Sequence, residues 1–439
     1  MNIKPPVAIL GYGVEGKAAF AFLQNKGIKS VTVFDENMKS ENRSRSDVEF
    51  RSEFKNLTDF NTVIRSPGVH YDRPEIREAL DAGVNVTSMT ELTLEIAKER
   101  ITAITGSNGK TTTTALAADI LAQHYGDELI VGGNDREPTL QRAISNPEHQ
   151  ILMEVSSFQF ADIHMSPHIS AVLNITPNHM DWHEDLQDYI NAKNNLILHQ
   201  EKDDWAILNA NNENSTNLAK GAPGQIFWIG QKKGKRWAIW KGDNLVINKE
   251  TIINKKDIKV KTHPDTIAFA AAIGKIHEIP NEKIAKAIKK FKGVVHRLEF
   301  VRKINGVSFY NDSCCTTPES SEVAIDQFEG EKFILMLGGS SKHSDFSFLA
   351  AKIKNHNVRV YLYGKEGKRI KEAIKEAGAE DLILRYNENK DFAEIIEDVF
   401  VTHSKKGDSI VLSPACASFD MFENAKQRGY QFKEIVENL

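Results

Sequence analysis

The sequence has few cysteines, no long apolar run and no excess of charge of one sign. Its cysteines are Cys314, Cys315 and Cys416, and no CxxC spacing is present, so the sequence predicts neither a disulfide framework nor a zinc site. No apolar run approaches the roughly 18 residues that cross a membrane. The opening "MNIKPPVAILGYG" also lacks the pattern of a secretory leader. We therefore expect a cytoplasmic protein whose cysteines are reduced and which has no membrane partner.

The charge balance excludes a general attraction to polyanions. The chain has 56 basic and 60 acidic residues and a net charge of −4, so nucleic acid is not an expected partner. With 41% hydrophobic and 26% charged residues, the composition is that of a globular protein. We expect a monomer that holds any anionic ligand locally.

Short apolar segments alternate with helical segments along most of the chain, which predicts an α/β fold. The length of 439 residues suggests three domains, at about 150 residues each. The predicted domains are an N-terminal Rossmann-like domain at 1–92, a central P-loop-type ATP-binding domain at 93–292 and a C-terminal Rossmann-like domain at 293–439. The lysine-rich segment 229–257 is predicted to be a solvated hairpin or meander rather than a nucleic-acid patch.

Two glycine loops each follow a predicted strand and precede a predicted helix. The first is "GYGVEG" at Gly11–Gly16, and the second is "GSNGKTTTT" at Gly106–Thr114. In a phosphate loop, glycines let backbone N–H groups converge on oxygen, a lysine adds a cation and a threonine hydroxyl binds Mg²⁺. The second loop fits these roles, although the strict pattern would need glycine in place of Ile104. An ordinary strand-to-helix turn is the alternative.

Acidic and imidazole side chains follow the next two predicted strands. Glu154 ends the strand in "MEVSSFQF", where a buried carboxylate is costly unless it faces a metal or a salt-bridge partner. Asn174, His179, Asp181 and His183 lie in "NITPNHMDWH", after the following strand. Loops at this edge of a parallel sheet bind ligands. A histidine that packs in the core is, however, commoner than one that binds a ligand.

Taken together, these motifs resemble the Mur ligase family, ATP-dependent enzymes that join an amino acid to a UDP-linked muramoyl carboxylate. The resemblance covers nearly the whole chain, and its most specific part is "LSPACASFDMFENAKQRGYQF" near the C-terminus. Other matching motifs are "TGSNGKTTTT", "MEVSSFQF", "NHMDWH" with Lys193 after it, "SPG" at Ser66–Gly68, "GGN" at Gly132–Asn134, "HR" at His296 and Arg297, and "NDS" at Asn311–Ser313. The resemblance implies a role in peptidoglycan precursor synthesis, and so in cell shape and division.

The resemblance also implies site residues. For the UDP-linked substrate it implies Gly11, Gly13, Gly16, Asp35, Ser66, Gly68, Asn134 and Ser156. For ATP it implies Gly106, Ser107, Asn108, Gly109, Lys110, Thr111, Thr112, Arg297 and Asp312. For the incoming amino acid it implies Thr316, Lys342, Ser418 and Phe419. Thr111, Glu154, His179 and Lys193 would bind two Mg²⁺ ions, with Lys193 carbamylated, and Lys110, Glu154, His179 and Lys193 would be the catalytic residues.

The reaction that the resemblance implies adds D-glutamate to UDP-N-acetylmuramoyl-L-alanine through an acyl phosphate. The sequence departs from the family pattern at Cys314, where a lysine is usual, at Pro264 and Ile267, where asparagines contact adenine, and at Ala425, where an aromatic residue is usual. Three alternatives stay open. They are addition of another amino acid such as L-glutamate, an amide ligase like folylpolyglutamate synthetase, and a noncatalytic UDP-sugar-binding protein.

Overall fold

The computed structural model describes residues 1–37, 48–134, 139–341, 344–388 and 390–439, and their strands form three sheets. The strands are β1 (Val7–Leu10), β2 (Val31–Phe34), β3 (Glu49–Arg51), β4 (Thr62–Arg65), β5 (Asn85–Thr87), β6 (Ile101–Thr105), β7 (Leu129–Gly133), β8 (Gln150–Glu154), β9 (Ile169–Val172), β10 (Trp205–Asn209), β11 (Gln225–Ile229), β12 (Arg236–Lys241), β13 (Asn244–Ile247), β14 (Glu250–Asn254), β15 (Glu299–Ile304), β16 (Val307–Asn311), β17 (Phe333–Gly338), β18 (Arg359–Tyr363), β19 (Ile383–Asn387) and β20 (Ser409–Leu412).

Helices connect most of these strands. They are α1 (Val14–Asn25), α2 (Pro74–Asp81), α3 (Met89–Ala97), α4 (Lys110–Tyr125), α5 (Leu140–Ser145), α6 (Ser157–Phe160), α7 (Leu186–Leu198), α8 (Glu213–Leu218), α9 (Pro264–Ile276), α10 (Asn281–Lys290), α11 (Pro318–Asp326), α12 (Ser347–Asn355), α13 (Gly367–Glu376), α14 (Phe392–Asp398) and α15 (Ala425–Asn438). Of the described helices, none is long and apolar enough to cross a membrane.

The first sheet is parallel and has the strand order β3-β2-β1-β4-β5. Strand β1 is central and its residues are fully buried, which explains its unbroken apolar sequence "VAIL". The strand order reverses beside β1, and ligands bind at such a switch point, outside the carboxyl ends of the strands. The loops after β1, β2 and β4 all reach this edge, and they carry the first glycine loop, Asp35 and "SPG".

The second sheet has the order β14-β13-β12-β11-β10-β9-β6-β8-β7. Strand β6 lies between β8 and β9 and is parallel to both, so the phosphate loop after β6 is flanked by the ends of these two strands. Strands β12, β13 and β14 pair in antiparallel order at the far edge. The predicted meander in the lysine-rich segment is therefore confirmed.

The chain forms two compact units. The first comprises Met1–Asp257 and Asp265–Ile288 and contains the first two sheets, whereas the second comprises Ile258–Pro264 and Lys289–Leu439. The α/β fold with its Rossmann-like first domain is confirmed, while the exact domain limits at 92 and 292 stay a prediction.

The third sheet lies in the second unit and has the order β15-β16-β20-β17-β18-β19. Strand β15 is antiparallel to β16, and the remaining pairs are parallel. Every residue of β17 is buried, because helices cover both faces of a sheet of this kind. The carboxyl ends of β16, β17 and β20 meet at one edge, where the "NDS" and "ACASFD" motifs lie.

Candidate functional site

The second glycine loop has the backbone conformation of a phosphate loop. Gly109 is the N-cap of α4 and has a φ of +86°, a left-handed conformation that favours glycine. Lys110 is the first residue of the helix, and its Nζ donates to the carbonyl oxygens of Gly106 at 2.7 Å and Ser107 at 3.3 Å. The amine thus lies over the loop, at the positive end of the helix dipole.

Asn174, which follows β9, holds the loop in this conformation. Its Oδ1 accepts from the N–H of Asn108 at 2.9 Å, and its Nδ2 donates to the Asn108 carbonyl at 3.0 Å. Its own carbonyl accepts from the N–H of Ser107 at 2.9 Å. These bonds place the loop before any ligand binds, which reduces the entropy lost on binding.

Glu154 ends β8 beside the loop and is buried. Its Oε1 accepts from Thr111 Oγ1 at 3.1 Å and from Asn134 Nδ2 at 3.3 Å. Its Oε2 is also buried, and no side chain or backbone group of the described residues donates to it. A buried carboxylate oxygen without a donor next to a threonine hydroxyl is a donor set that suits Mg²⁺, so these residues fit the metal site that the resemblance implies.

Lys193, on α7, has a fully buried amine that also lies at the phosphate loop. Its Nζ donates to Thr105 Oγ1 at 3.0 Å and approaches the Gly106 carbonyl oxygen at 3.4 Å. Burial, and secondly the charge of Lys110, lowers the pKa of Lys193 well below its ordinary value. Lys193 is therefore not a surface lysine, although lysines on helices are commonly exposed.

His179 belongs to the same group of side chains. Burial lowers its pKa to about 4, and the charges of Lys110 and Lys193 act in the same direction. The ring is therefore neutral at pH 7, the form in which histidine binds metals. Nearby, His183 is buried and bonded through Nδ1 to Asp188 at 2.7 Å and through Nε2 to Ser157 at 2.9 Å, so its role is structural.

A cavity of about 830 Å³ lies at the switch point of the first sheet. Of the residues predicted for the UDP-linked substrate, those that line it are Gly11, Gly13, Asp35, Ser66, Gly68, Asn134 and Ser156. Gly16 does not line the cavity. Its lack of a side chain lets α1 pack closely against the loop after β1, because a Cβ on Gly16 would lie 1.9 Å from the Gly11 carbonyl oxygen. Asp35 accepts from the N–H of Tyr12 at 2.7 Å, which fixes the turn after β1.

The structure reveals residues of this cavity that the sequence did not single out. The aromatic and imidazole rings of His70, Phe158 and Trp182 form one wall, with ring centroids 4.4 Å apart for His70 and Trp182 and 4.6 Å apart for Phe158 and Trp182. Glu15 and Gln159 also line the cavity. Both lie in motifs already quoted, "GYGVEG" and "MEVSSFQF", but nothing in the one-dimensional pattern shows that they face each other.

Arg65 is a second feature that the sequence did not reveal. It ends β4 and is 1% exposed. Its Nε donates to Asp162 Oδ2 at 2.9 Å, and its other nitrogens donate to the carbonyls of Val69 at 2.8 Å and Phe158 at 3.2 Å. This arginine joins the "SPG" loop to the segment after β8, and so joins two walls of the cavity.

In the second unit, Asp312 directly follows β16 and is buried. It accepts from Ser413 Oγ at 2.8 Å and from the N–H of Leu298 at 3.2 Å. Burial raises its pKa to about 6, although Arg297 and Ser413 act in the opposite direction. Arg297 donates through Nη1 to the Cys314 carbonyl at 3.0 Å. Both residues predicted to contact ATP from this unit therefore belong to one polar cluster.

The predicted amino-acid residues lie at the same edge of the third sheet, apart from Lys342, which is outside the described residues. Ser418 is buried, and within the described ranges its Oγ has no hydrogen-bond partner. Phe419 is 72% exposed, with its N–H bonded to Ser340 Oγ at 3.0 Å, and Thr316 is half-buried. These roles stay predictions.

Arg428 organises this edge and was not predicted. It is fully buried, and it donates through Nε to Ser313 Oγ at 3.0 Å and through Nη2 to the carbonyls of Ser313 at 2.9 Å and Cys416 at 3.0 Å. It therefore ties the "NDS" loop to the "ACASFD" loop.

The positions that depart from the family pattern have ordinary structural surroundings. Burial raises the pKa of the Cys314 thiol, so a thiolate nucleophile is not favoured there. Pro264 is the first residue of α9, where it is tolerated, and Ile267 is buried in the core. Ala425 is half-buried, and its carbonyl accepts from Ser313 Oγ at 2.7 Å. Because its side chain is a buried hydrocarbon, Ile267 cannot form the hydrogen bond to adenine that an asparagine would form.

Family models match most of the chain. The model "Mur ligase MurD-like, N-terminal domain" matches residues 5–88, "Mur ligase middle domain" matches 104–281, and "Mur ligase, glutamate ligase domain" matches 296–416.

Curated relatives span almost the whole chain. The UDP-N-acetylmuramoylalanine–D-glutamate ligase of Clostridium perfringens is 34% identical over 447 residues, which cover 99% of this chain and 96% of that protein. The protein of the same name from Koribacter versatilis is 34% identical over 457 residues, covering 99% and 97%.

Solved structures share the fold. A UDP-N-acetylmuramate–alanine ligase from Thermotoga maritima has a TM-score of 0.60 at 18% identity, covering 98% of this chain and 99% of that chain. A MurF ligase from Thermotoga maritima in complex with ADP has a TM-score of 0.61 at 14% identity, covering 99% and 96%. At these identities the likeness concerns the fold alone.

Proposed function

The chain belongs to the Mur ligase family, and on that premise we propose that it joins D-glutamate to UDP-N-acetylmuramoyl-L-alanine while ATP is converted to ADP and phosphate. The observation that carries the proposal is the near-complete match, at 34% identity, to curated relatives that bear the name of this reaction. The enzyme is thus an ATP-dependent, amide-bond-forming ligase of peptidoglycan precursor synthesis.

ATP binds at the loop between β6 and α4. The backbone N–H groups of Gly106–Thr112 surround the β- and γ-phosphates, and Lys110 supplies the cation that the γ-phosphate needs. The bonds from Asn174 support this proposal, because they hold the loop in shape independently of the ligand. Arg297 and Asp312 are two further proposed ATP contacts.

Two Mg²⁺ ions would be held by Thr111, Glu154, His179 and Lys193, the last as a carbamate. The donor-free Oε2 of Glu154 and the adjacent hydroxyl of Thr111 support this assignment. Bound Mg²⁺ would offset the negative charges of the γ-phosphate and the substrate carboxylate, which otherwise repel each other.

The UDP-linked substrate occupies the cavity of the first sheet. Its diphosphate lies at the first glycine loop and the N-terminus of α1, where backbone N–H groups and the helix dipole favour anions. Asp35 and the "SPG" loop hold the nucleoside end, and Asn134 and Ser156 hold the muramoyl-alanine end. The volume of about 830 Å³ supports a ligand of this size.

The chemistry then proceeds in two displacements. A carboxylate oxygen of the alanyl group attacks the γ-phosphorus, the bond to ADP breaks, and Lys110 holds the transferred phosphoryl group in line. The amine of D-glutamate attacks the carbonyl carbon of the resulting acyl phosphate, loses a proton to solvent, and phosphate leaves as the amide forms. Thr316, Lys342 and Ser418 are the proposed contacts of the incoming amino acid.

An amino-acid screen tests this function. The full chain is incubated with ATP, Mg²⁺ and UDP-N-acetylmuramoyl-L-alanine, and phosphate release is measured with D-glutamate, L-glutamate, D-aspartate and glycine in turn. Release with D-glutamate above all others is expected. Preference for another amino acid would contradict the substrate assignment alone, whereas no release with any of them would contradict the ligase activity.

A further inference from the structure

Glu15 lies in the first glycine loop, at a position where a second negative charge would oppose a bound diphosphate. It is the second residue of α1, between Gly13 and Gly16, and its side chain lines the cavity of the first sheet. The N–H groups at this helix start have no partner within the helix, and they form the part of the cavity that attracts anions. A carboxylate here competes with the ligand for the same positive potential.

The hydrogen bonds of Glu15 define which oxygen would carry a proton. Oε1 accepts from Gln159 Nε2 at 2.8 Å. The amide of Gln159 is fixed in this orientation, because its own oxygen accepts from Ser156 N at 2.9 Å and Ser156 Oγ at 3.2 Å. Glu15 Oε2 is buried, and no partner for it is found among the described residues. Oε2 is therefore the oxygen that can take up a proton without losing an existing bond.

The charges around Glu15 do not fully compensate its carboxylate. The cation that faces it is Arg65 from β4, but that guanidinium is already paired with Asp162. Burial raises the pKa of Glu15 to about 7, while Gln159 and Arg65 act in the opposite direction. The other titratable and charged residues that line the cavity are Tyr12, Lys17, Asp35, Glu36, His70, Arg73 and Asp181.

We propose that the UDP-linked substrate binds together with one proton, which Glu15 takes up from solvent at Oε2, so that ionised Glu15 weakens substrate binding above neutral pH. The proposal rests on the proposed function, since it needs a diphosphate at the first glycine loop. On binding, one O–H bond forms and the carboxylate of Glu15 becomes neutral. The positive potential at the N-terminus of α1 then acts on the diphosphate alone. Glu15 is in this sense a residue that sets the pH range of substrate binding.

Calorimetry without ATP tests the proposal. UDP-N-acetylmuramoyl-L-alanine is titrated into the full chain between pH 6 and 8.5, in two buffers of different ionisation heat, so that both affinity and proton uptake are measured. The ligand suits this experiment, because its diphosphate is esterified at both ends and does not titrate near neutrality. For the wild type, we expect proton uptake that approaches one per ligand above pH 7.5 and an affinity that falls by up to about tenfold per pH unit there.

Glu15→Gln removes the titrating group but keeps the shape. The variant is expected to bind without proton uptake, with an affinity at pH 8 close to that of the wild type at pH 6. Glu36→Gln is the matched control, because it makes the same change at an exposed carboxylate that lines the same cavity, and it should retain the wild-type proton uptake above pH 7.5.

The outcomes separate the two claims. Binding by the wild type without proton uptake, or an equal pH dependence in Glu15→Gln, would overturn the role of Glu15 and leave the proposed function intact. No binding of the UDP-linked ligand at any pH would overturn the proposed function and this inference with it. If Glu15→Gln does not fold, the proton uptake of the wild type alone decides.

Discussion

Lys110 and Lys193 direct their amines at the same acceptor, the carbonyl oxygen of Gly106, at 2.7 and 3.4 Å. One amine lies at the start of α4 and the other is fully buried on α7. Two ammonium ions that share one carbonyl repel each other, and burial adds to the cost of charging the inner one. The two amines therefore differ: Lys110 is the proposed cation for the phosphate, whereas burial and the charge of Lys110 make Lys193 lose its proton more readily than an ordinary lysine.

A buried amine that loses its proton more readily than an ordinary lysine is suited to react with CO₂. In the proposed modification, the nitrogen of Lys193 would attack the carbon of CO₂, an N–C bond would form and one proton would leave to solvent, which would give an anionic carbamate. Incubation of the enzyme with ¹³C-labelled bicarbonate should produce one carbamate signal in the ¹³C spectrum. The signal should be absent in Lys193→Ala. A fully active wild type without any such signal would contradict the modification.

Lys110→Ala should lower the rate of phosphate release by about 10²–10³-fold, because the transferred phosphoryl group loses the cation that stabilises it. The measurement is phosphate release at saturating substrates. Lys241→Ala is the control, since Lys241 is an exposed lysine at the end of β12, and its rate should equal that of the wild type. Equal rates for both variants would contradict the role given to Lys110.

Gly16→Ala should destabilise the first domain, because the added methyl group would lie 1.9 Å from the Gly11 carbonyl oxygen. Overpacking of this kind costs about 1–3 kcal/mol. Gly13→Ala tests the same loop without the clash, since a Cβ there meets no atom within 4 Å. Urea denaturation should therefore separate the two variants. A Gly16→Ala protein as stable as Gly13→Ala would show that the loop adapts.

Asp162→Ala should lower the free energy of unfolding by about 3–5 kcal/mol, because the change leaves the buried guanidinium of Arg65 without its anion. Arg65→Met is expected to lower the free energy of unfolding by less than Asp162→Ala does. The side chain of Asp162 is 29% exposed, so water can hydrate its carboxylate when the arginine is absent. Chemical denaturation of both variants gives the comparison. A loss below 1 kcal/mol for Asp162→Ala would mean that Arg65 is compensated elsewhere.

The sequence was sufficient for those parts of the site that consist of consecutive residues. The two glycine loops, Glu154 at a strand end and the α/β alternation all follow from local patterns, and the structure has them where they were expected. The pairs that join distant segments were not visible. Arg65 and Asp162 are 97 positions apart, and Glu15 and Gln159 are 144 apart, so their contact depends on how the first two sheets pack.

Burial was the other property that the sequence did not reveal. Lys193 has the appearance of a solvent-facing helical lysine, and Arg428 that of an ordinary basic residue near the C-terminus, yet both are buried and form polar contacts. Charged residues are rarely buried without a specific partner. The partners are Thr105 and Gly106 at the end of β6 for Lys193, and loop atoms for Arg428, and their positions depend on the fold of the whole unit.

The most direct test of the central claim is oxygen transfer during D-glutamate addition. UDP-N-acetylmuramoyl-L-alanine labelled with ¹⁸O in the alanyl carboxylate is incubated with the enzyme, ATP, Mg²⁺ and D-glutamate, and the released phosphate is analysed by mass spectrometry. Phosphate that carries one ¹⁸O, in step with amide formation, is predicted, because the carboxylate oxygen attacks the γ-phosphorus. Amide formation with unlabelled phosphate, or no D-glutamyl product, would contradict the account.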